Sequence, residues 1–408
     1  MSLLFITQRM DKGDSTLGFV HAWVSGFSKQ FKTITVICLQ EGAYSLPPNV
    51  HVFSLGKENG RTFTPVGSVL PRSTVGRSRI RYIKNFFTYI WRERNNYDAV
   101  LVHMNQEYVL LGGLLWKLLG KRIFMWRNHY AGSVLTAIAA AFCTKIFCTS
   151  KASYTAKYKK TVLMPVGVDM ELYRPAGAVA RIPRSILFYA RIAPSKRPHM
   201  LLEALKDLHA KGVAFTASFY GSPLPNDIAY HEGLKRTVQD IGLSRQVRFA
   251  AGLPYLEGPQ VFSAHDIFVN LSPSGMYDKT LFEAAGCECL VLACSADFAR
   301  LMDKQFSLPV NGERGKGVGE KALSPQRRAA SPRALRTEEF SKEPKPNASS
   351  ARFSFAQDDK EELALKLQEL LNLGDAEKLA LRATMREVGL KEHSLSALAH
   401  RLKVELSR

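Results

Sequence analysis

The chain has 408 residues, 46% hydrophobic and 23% charged, with a formal net charge of +20 and an isoelectric point near 9.7. That balance excludes a disordered chain and a membrane-spanning one, and it is long enough for two domains of ordinary size. The excess of cations points to an anionic partner: nucleic acid, an acidic membrane surface or a phosphate-rich substrate.

Residues 1–13 carry no basic leader and too short an apolar run for a signal peptide. The longest apolar stretches, 108–119 and 134–143, fall short of the ~20 residues that a span needs. Cys38, Cys143, Cys148, Cys287, Cys289 and Cys294 lie in apolar runs and are expected as buried thiols of a reducing compartment. Cys287-Glu288-Cys289 lacks zinc-site spacing, and no metal site is expected. The expected location is cytoplasmic, with a peripheral position on the inner membrane face left open.

Residues 3–7 read as a buried parallel strand, 18–31 as a helix with Phe19, Trp23, Phe27 and Phe31 spaced by four, and 35–39 as a second strand. This is a Rossmann-like unit. It has no G-x-G-x-x-G after its first strand, which speaks against a dinucleotide-dependent oxidoreductase.

Residues 72–94 form the most basic ordered stretch: Arg72, Arg77, Arg79, Arg81, Lys84, Arg92 and Arg94 stand against one acid, Glu93. Ile80, Ile83, Phe87 and Ile90 repeat at helical spacing, with Tyr82, Phe86, Tyr89 and Trp91 between them. Two readings stand, and they are compatible. One is a helix lying on an anionic membrane surface; the other is a crossover helix whose apolar stripe packs on the sheet and whose basic face is solvated. No RNP, KH or helix-turn-helix pattern supports nucleic acid as the partner.

Strands are expected at 98–104, 121–126, 145–149 and 161–165, a helix at 107–118, and a helix start at Ser150–Ser153. His103 and His129 close two of these strands, where the cleft of an open α/β sheet lies; a satisfied structural histidine is the alternative at each. Further strands are expected at 185–190, 215–221, 246–251, 265–271 and 290–294, with helices at 199–208, 231–241, 258–264 and from about 279. Segment 311–350, rich in Gly, Pro, Ser, Ala and charge, reads as a disordered insertion. Helices at 361–371, 376–388 and 394–406 complete the chain.

The stretch 270–286, NLSPSGMYDKTLFEAAG, organises the second half. A polar strand exit, a glycine-bearing loop and a helix start together direct unpaired N–H groups and the helix dipole at an anion. Leu281-Phe282-Glu283-Ala284-Ala285-Gly286 resembles the second half of the paired-glutamate signature of retaining family-4 glycosyltransferases of the GT-B fold. The first glutamate of that pair falls at Gly275 and is missing, followed here by Asp278 and Lys279. Other elements recur in family order. They are Trp126-Arg127-Asn128-His129, Val166-Gly167-Val168-Asp169 with Tyr173-Arg174-Pro175, Arg191 with Lys196, Tyr220-Gly221, and the strand before Gly252. Departures are Ala190 for a glycine before the arginine and Arg197 for the glycine after the lysine.

The resemblance implies two Rossmann-like domains facing a cleft, 1–172 for the acceptor and 173–408 for the nucleotide sugar, with the last helix returning to the first domain. It implies transfer of a sugar, with retention of configuration and without a metal, from a nucleotide diphosphate sugar (UDP- or GDP-linked) to a glycan or lipid-linked acceptor. Arg191 and Lys196 would hold the diphosphate, where two fixed cations stabilise charge growing on the leaving group. Glu283 would hold the ribose and His129 the sugar. Gly221, Gly275 and Asp278 would lie along the donor, and Lys279 would add a third cation at the phosphates. Gly18 would border the acceptor cleft or merely start a helix, and Gly167 would serve backbone freedom. The plainer alternatives are a solvated basic loop for Arg191 and Lys196 and a first-turn acid for Glu283. The rival functions are a degenerate transferase that binds without turnover, favoured by Gly275, and an epimerase, whose acid/base carboxylates are not evident.

Overall fold

A computed structural model describes residues 1–58, 72–274, 277–306, 352–356 and 358–408. Segment 311–350, expected as a disordered insertion, and Gly275 lie outside the described residues.

The first half builds a seven-stranded parallel sheet. Its strands are β1 (Leu3–Met10), β2 (Ile34–Glu41), β3 (Val50–Ser54), β4 (Ala99–His103), β5 (Arg122–Trp126), β6 (Lys145–Cys148) and β7 (Thr161–Leu163), in the order β3-β2-β1-β4-β5-β6-β7. Helices α1 (Phe19–Ser28), α2 (Arg72–Arg92), α3 (Gln106–Leu118) and α4 (Val134–Phe142) connect them. Most parallel neighbours are joined by these helical crossovers, which bury both sheet faces; β2 and β3 are joined by residues 42–49 alone, and β6 and β7 through a 3-10 turn. Hence the apolar runs: Leu3 to Ile6 and Ala99 to Val102 are fully or almost fully buried.

The second half repeats the plan with β8 (Ser185–Tyr189), β9 (Thr216–Tyr220), β10 (Val247–Ala250), β11 (Ile267–Asn270) and β12 (Leu290–Ala293), all parallel, in the order β10-β9-β8-β11-β12. Its helices are α5 (Pro198–Ala210), α6 (Ile228–Asp240), α7 (Gly258–Ala264), α8 (Thr280–Gly286), α9 (Ala296–Phe306), α10 (Lys360–Leu371) and α11 (Asp375–His393). Two Rossmann-like domains thus face each other across a cleft, the fold class the resemblance implies.

The chain passes between the lobes twice. After β7 it runs through Val166, Gly167 and Val168; after α11 it returns as α12 (Leu395–Ser407), whose Leu398, Leu402 and Leu406 share a core with Trp23 and Phe27. The passages are bonded together: Gly167 and Val168 N–H donate to His393 O, and Leu395 N–H donates to Val168 O at 2.7 Å. Gly167 has φ +75°, a conformation that disfavours a side chain.

Three local expectations change. In α2 it is Phe86 and Ile90, with Tyr82 and Tyr89, that pack inward, while Ile80, Ile83, Phe87 and Trp91 are exposed. Both sets repeat at helical spacing, so the stripe that meets the sheet is decided by packing against Tyr108 and Trp116. No α-helix starts at Ser150: its hydroxyl accepts the Ala152 N–H and bonds Asp297 of the second lobe, and only a 3-10 turn, Tyr154–Lys157, follows. Strand β3 was not anticipated; it is a short edge strand whose alternate residue, His51, is exposed.

Asp266, 2% exposed, ties α11 to the second sheet: Lys378 Nζ lies 2.8 Å from one carboxylate oxygen and Arg382 pairs with the other. Removing the carboxylate strands two cations in a low-dielectric setting. Asp266→Ala is expected to cost about 3–5 kcal/mol, read as a lower urea midpoint with an unchanged slope.

Candidate active site

The carboxyl ends of the two sheets open onto a cavity of about 540 Å³. In an α/β fold this edge collects the loops, and so the functional side chains.

The first-lobe wall begins in the loop after β1. Asp14 accepts the Thr16 and Leu17 N–H groups at 2.8 and 2.7 Å and pairs with Arg9, which turns Ser15, Thr16 and Leu17 towards the cavity. Burial alone would raise the Asp14 carboxyl; those backbone bonds and Arg9 hold it below the ordinary range.

His103 and His129, both placed at strand ends by sequence, diverge in character. His103 is 4% exposed, packed on Phe5 and Trp23, with Nδ1 3.3 Å from Thr7 Oγ1. Burial, then the nearby Lys279 charge, push it down to about 3, so it is a neutral packing residue at the cavity floor. His129 is only partly buried. Its Nδ1 lies 2.9 Å from Ala131 N and 3.2 Å from Ala131 O and its ring stacks on Tyr130, so Nε2 is the ring nitrogen without a hydrogen-bond partner among the described residues.

The second-lobe wall carries the charge. Arg191, just after β8, is exposed and lines the cavity without a hydrogen bond or ion pair among the described residues. Lys196 is engaged: its Nζ lies 2.7 Å from Asp278 Oδ2 and 2.8 Å from Ser272 Oγ. The same carboxylate oxygen accepts from Ser272 and Asn270. Burial would raise Asp278, but the Lys196 charge and these bonds outweigh it and keep the carboxyl below its ordinary value.

Arg197, which stands where the resembled family has glycine, has φ +54°, the left-handed region in which glycine is the easy choice. Its guanidinium bonds Leu271 O and Asp358, which ties the loop to the end of β11.

Gly221 closes β9 against β8, and a Cβ there would collide with Ala190 O, so the close approach admits only glycine. Gly18 is not in the cavity wall. It starts α1 beneath it, and a Cβ there would meet Tyr255 Cβ of the other lobe at 2.7 Å.

Lys279 and Glu283 lie one turn apart at the start of α8. Glu283 is 5% exposed and makes no side-chain hydrogen bond among the described residues. Burial pushes its carboxyl up to about 8 against the opposing pull of Lys279. Burial likewise pushes Lys279 down to about 7, with Glu283 resisting. The Lys279 ammonium points across the cleft: Nζ donates to Val166 O at 2.6 Å and sits over the rings of Trp23 and Phe19, 3.9 and 4.3 Å from their centroids.

The cavity therefore gathers His129, Arg191, Lys196, Gly221, Asp278, Lys279 and Glu283. The wall also holds Tyr173, Tyr189 and Tyr255, which the sequence did not single out as cavity residues. Tyr189 ends β8, so a count of strand-end aromatics would have marked it, whereas Tyr255 opens a 3-10 turn five residues past β10 and carries no such signal. Among the described residues no three His, Cys, Asp or Glu side chains gather as metal ligands.

Residues 169–301 match the profile of the family "Glycosyl transferases group 1", a range that includes Arg191, Lys196, Gly221, Asp278, Lys279 and Glu283 but not His129. D-inositol 3-phosphate glycosyltransferase of Mycobacterium tuberculosis (strain ATCC 25618 / H37Rv) is 29% identical over 137 residues. That similarity spans 32% of this chain and only 28% of the relative. HepE of Anabaena, solved with UDP and glucose, superposes with a TM-score of 0.68 over 100% of this chain and 99% of its own, at 16% identity. Sucrose-phosphate synthase from Thermosynechococcus elongatus gives 0.69 over 98% and 97%, at 13% identity.

The fold is GT-B. In this GT-B frame the match to the group 1 profile begins at Asp169, just past the first passage between the lobes, and runs through β12 into α9.

Burial of Glu283 has a measurable consequence. Its folded value, about 8, lies above the ordinary 4.5, so the folded chain holds a proton there that the unfolded chain has lost. Stability should therefore fall as pH rises from about 4.5 towards 8. Thermal unfolding of the wild type and of Glu283→Gln, compared across that range, should show a wild-type midpoint that drops relative to the variant and then levels off.

Proposed function

We propose that the protein transfers a sugar, with retention of configuration, from a nucleotide diphosphate sugar to a glycan or lipid-linked acceptor. The observation that carries this reading is the cavity wall itself. Two cations from one loop, Arg191 and Lys196, and a carboxyl at a helix start, Glu283, face a partly exposed imidazole, His129, across the gap between the sheets. The group 1 match and the UDP-bound HepE structure support it.

In this reading Arg191 and Lys196 hold the diphosphate and offset the charge that grows as the glycosyl–phosphate bond breaks. Glu283 accepts hydrogen bonds from the ribose hydroxyls. His129 donates its Nε2–H to the transferred sugar. Asp278, whose second carboxylate oxygen has no hydrogen bond among the described residues, takes sugar hydroxyls in place of the missing first glutamate. The acceptor hydroxyl forms the new glycosidic bond on the face that the diphosphate leaves, and its proton passes to a leaving-group oxygen. No step calls on a metal ion, because the two side-chain cations supply the charge.

A lipid-linked acceptor is favoured by exposed apolar side chains on the crossover helices of the first lobe. Ile83, Phe87 and Trp91 of α2 and Leu114 and Leu118 of α3 are exposed on two helices that pack together through Phe86 and Trp116. Arg94 stacks on Trp91 with its guanidinium 4.5 Å from the ring centroid. Apolar side chains flanked by cations suit an anionic bilayer surface on the cytoplasmic face. The chain should pellet with vesicles that contain acidic phospholipid, and Trp91→Glu/Phe87→Glu together should release it.

A thermal-shift screen with UDP-, GDP- and ADP-sugars, followed by nucleotide release with candidate acceptors, tests the reaction. Lys196→Ala should lower kcat by roughly 10²–10³, and Glu283→Ala should abolish stabilisation by the donor. Stabilisation without release in any acceptor mixture would instead identify a non-catalytic sugar-nucleotide binder, the reading that Gly275 favours.

A further inference from the structure

Sequence places Lys279 near the donor phosphates; its ammonium is directed elsewhere. It belongs to the second lobe, at the start of the helix that carries Glu283. Its partners belong to the first lobe and to the passage between lobes: the faces of Trp23 and Phe19 and the Val166 carbonyl. We propose that Lys279 is a positioning residue that fixes the two lobes across the cavity, acting through Trp23, Phe19 and Val166 rather than through the donor.

Trp23 makes this contact a rigid one. Its Nε1–H donates to Gly167 O at 2.7 Å, and its ring packs edge-on to Trp126 at 4.8 Å and against His103. It is 1% exposed. An ammonium held over such a ring is therefore tied to α1, β5 and the passage residues at once. A cation near an aromatic face is attracted by the ring quadrupole, and more strongly where water is thin. The other groups around the ammonium do not compete for it. His103 and His393 are both pushed down to about 3, first by burial and then by this same lysine, and so stay neutral. Glu283 is the facing acid, and it adds attraction whenever it is ionised.

The consequence is geometric. Helix α8 presents Glu283, and the loop before it presents Asp278. Their distance from His129 on the opposite lobe is set by how the lobes meet. The clasp keeps the donor side and the acceptor side in register.

The test is Lys279→Met, which keeps the apolar stem and removes the charge. Small-angle X-ray scattering of the free chain should show a wider spread of inter-lobe distances in the variant, and Lys279→Arg should restore the wild-type profile. UDP affinity, by calorimetry, should stay within about twofold, while kcat falls about tenfold. Phe19→Leu removes one ring face and leaves the lysine; it should open the lobes less, and combining it with Lys279→Met should add little to the single lysine variant. An unchanged scattering profile in Lys279→Met, or strict additivity in the double variant, overturns the proposal. A large loss of UDP affinity with an unchanged profile overturns it in favour of a phosphate ligand. If Lys279→Met does not fold, the Phe19→Leu profile decides alone. The kinetic part rests on the transferase reading, whereas the scattering part does not: a wild type that ignores UDP would defeat that reading and leave the clasp to be judged by its profile.

Discussion

The junction between the lobes is organised around Trp23. The Trp23 indole engages several parts of the chain at once: its N–H the Gly167 carbonyl, its ring Trp126, His103 and the Lys279 ammonium. The partners come from the first sheet, from the passage between lobes and from the second lobe. A residue fixed from three directions cannot shift without moving all of them, which is how a fully packed interior transmits position.

Charge in the cavity follows a division set by partnership. Asp278 is surrounded by donors and stays ionised; Glu283 has none among the described residues and is pushed towards its neutral form by burial. Lys196 is held at rest by Asp278, while Arg191 has no ion-pair partner among the described residues. A ligand bearing two phosphates therefore meets one free cation and one that must share or release its carboxylate. Fixed cations that need little reorganisation are what a developing negative charge uses best. Arg191 comes closer to that condition, since Lys196 must first yield part of its pairing with Asp278.

Much of this was legible in the residues, and for physical reasons. Parallel strands buried on both faces read as unbroken apolar runs, so β1, β4, β8 and β11 stand out. The glycines at 167 and 221 mark a positive φ and a close backbone approach, demands that a sequence cannot hide. The faces of α2 were not legible, because two apolar stripes of similar strength run along it and only tertiary contacts choose between them. Nor was the partner of Lys196: the pairing with Asp278 joins residues far apart in the chain, and no local pattern announces it. The contacts of Lys279 were not legible for the same reason. A cation beside a phosphate-type loop suggests an anion, yet aromatic faces from the distant α1 reach it first.

The two bonded passages between the lobes have a mechanical meaning. Bodies joined by one strand can swivel about three axes. Here a second strand crosses beside the first, and the two are stitched by Gly167, Val168, His393 and Leu395. Twisting or sliding one lobe on the other would shear those bonds, whereas rotation about the line through them would not. The rotation that the two passages leave unopposed is the one that the Lys279 contacts with Trp23 and Phe19 and the Ser150–Asp297 bond span, so the passages and these bridging contacts restrain different directions of movement.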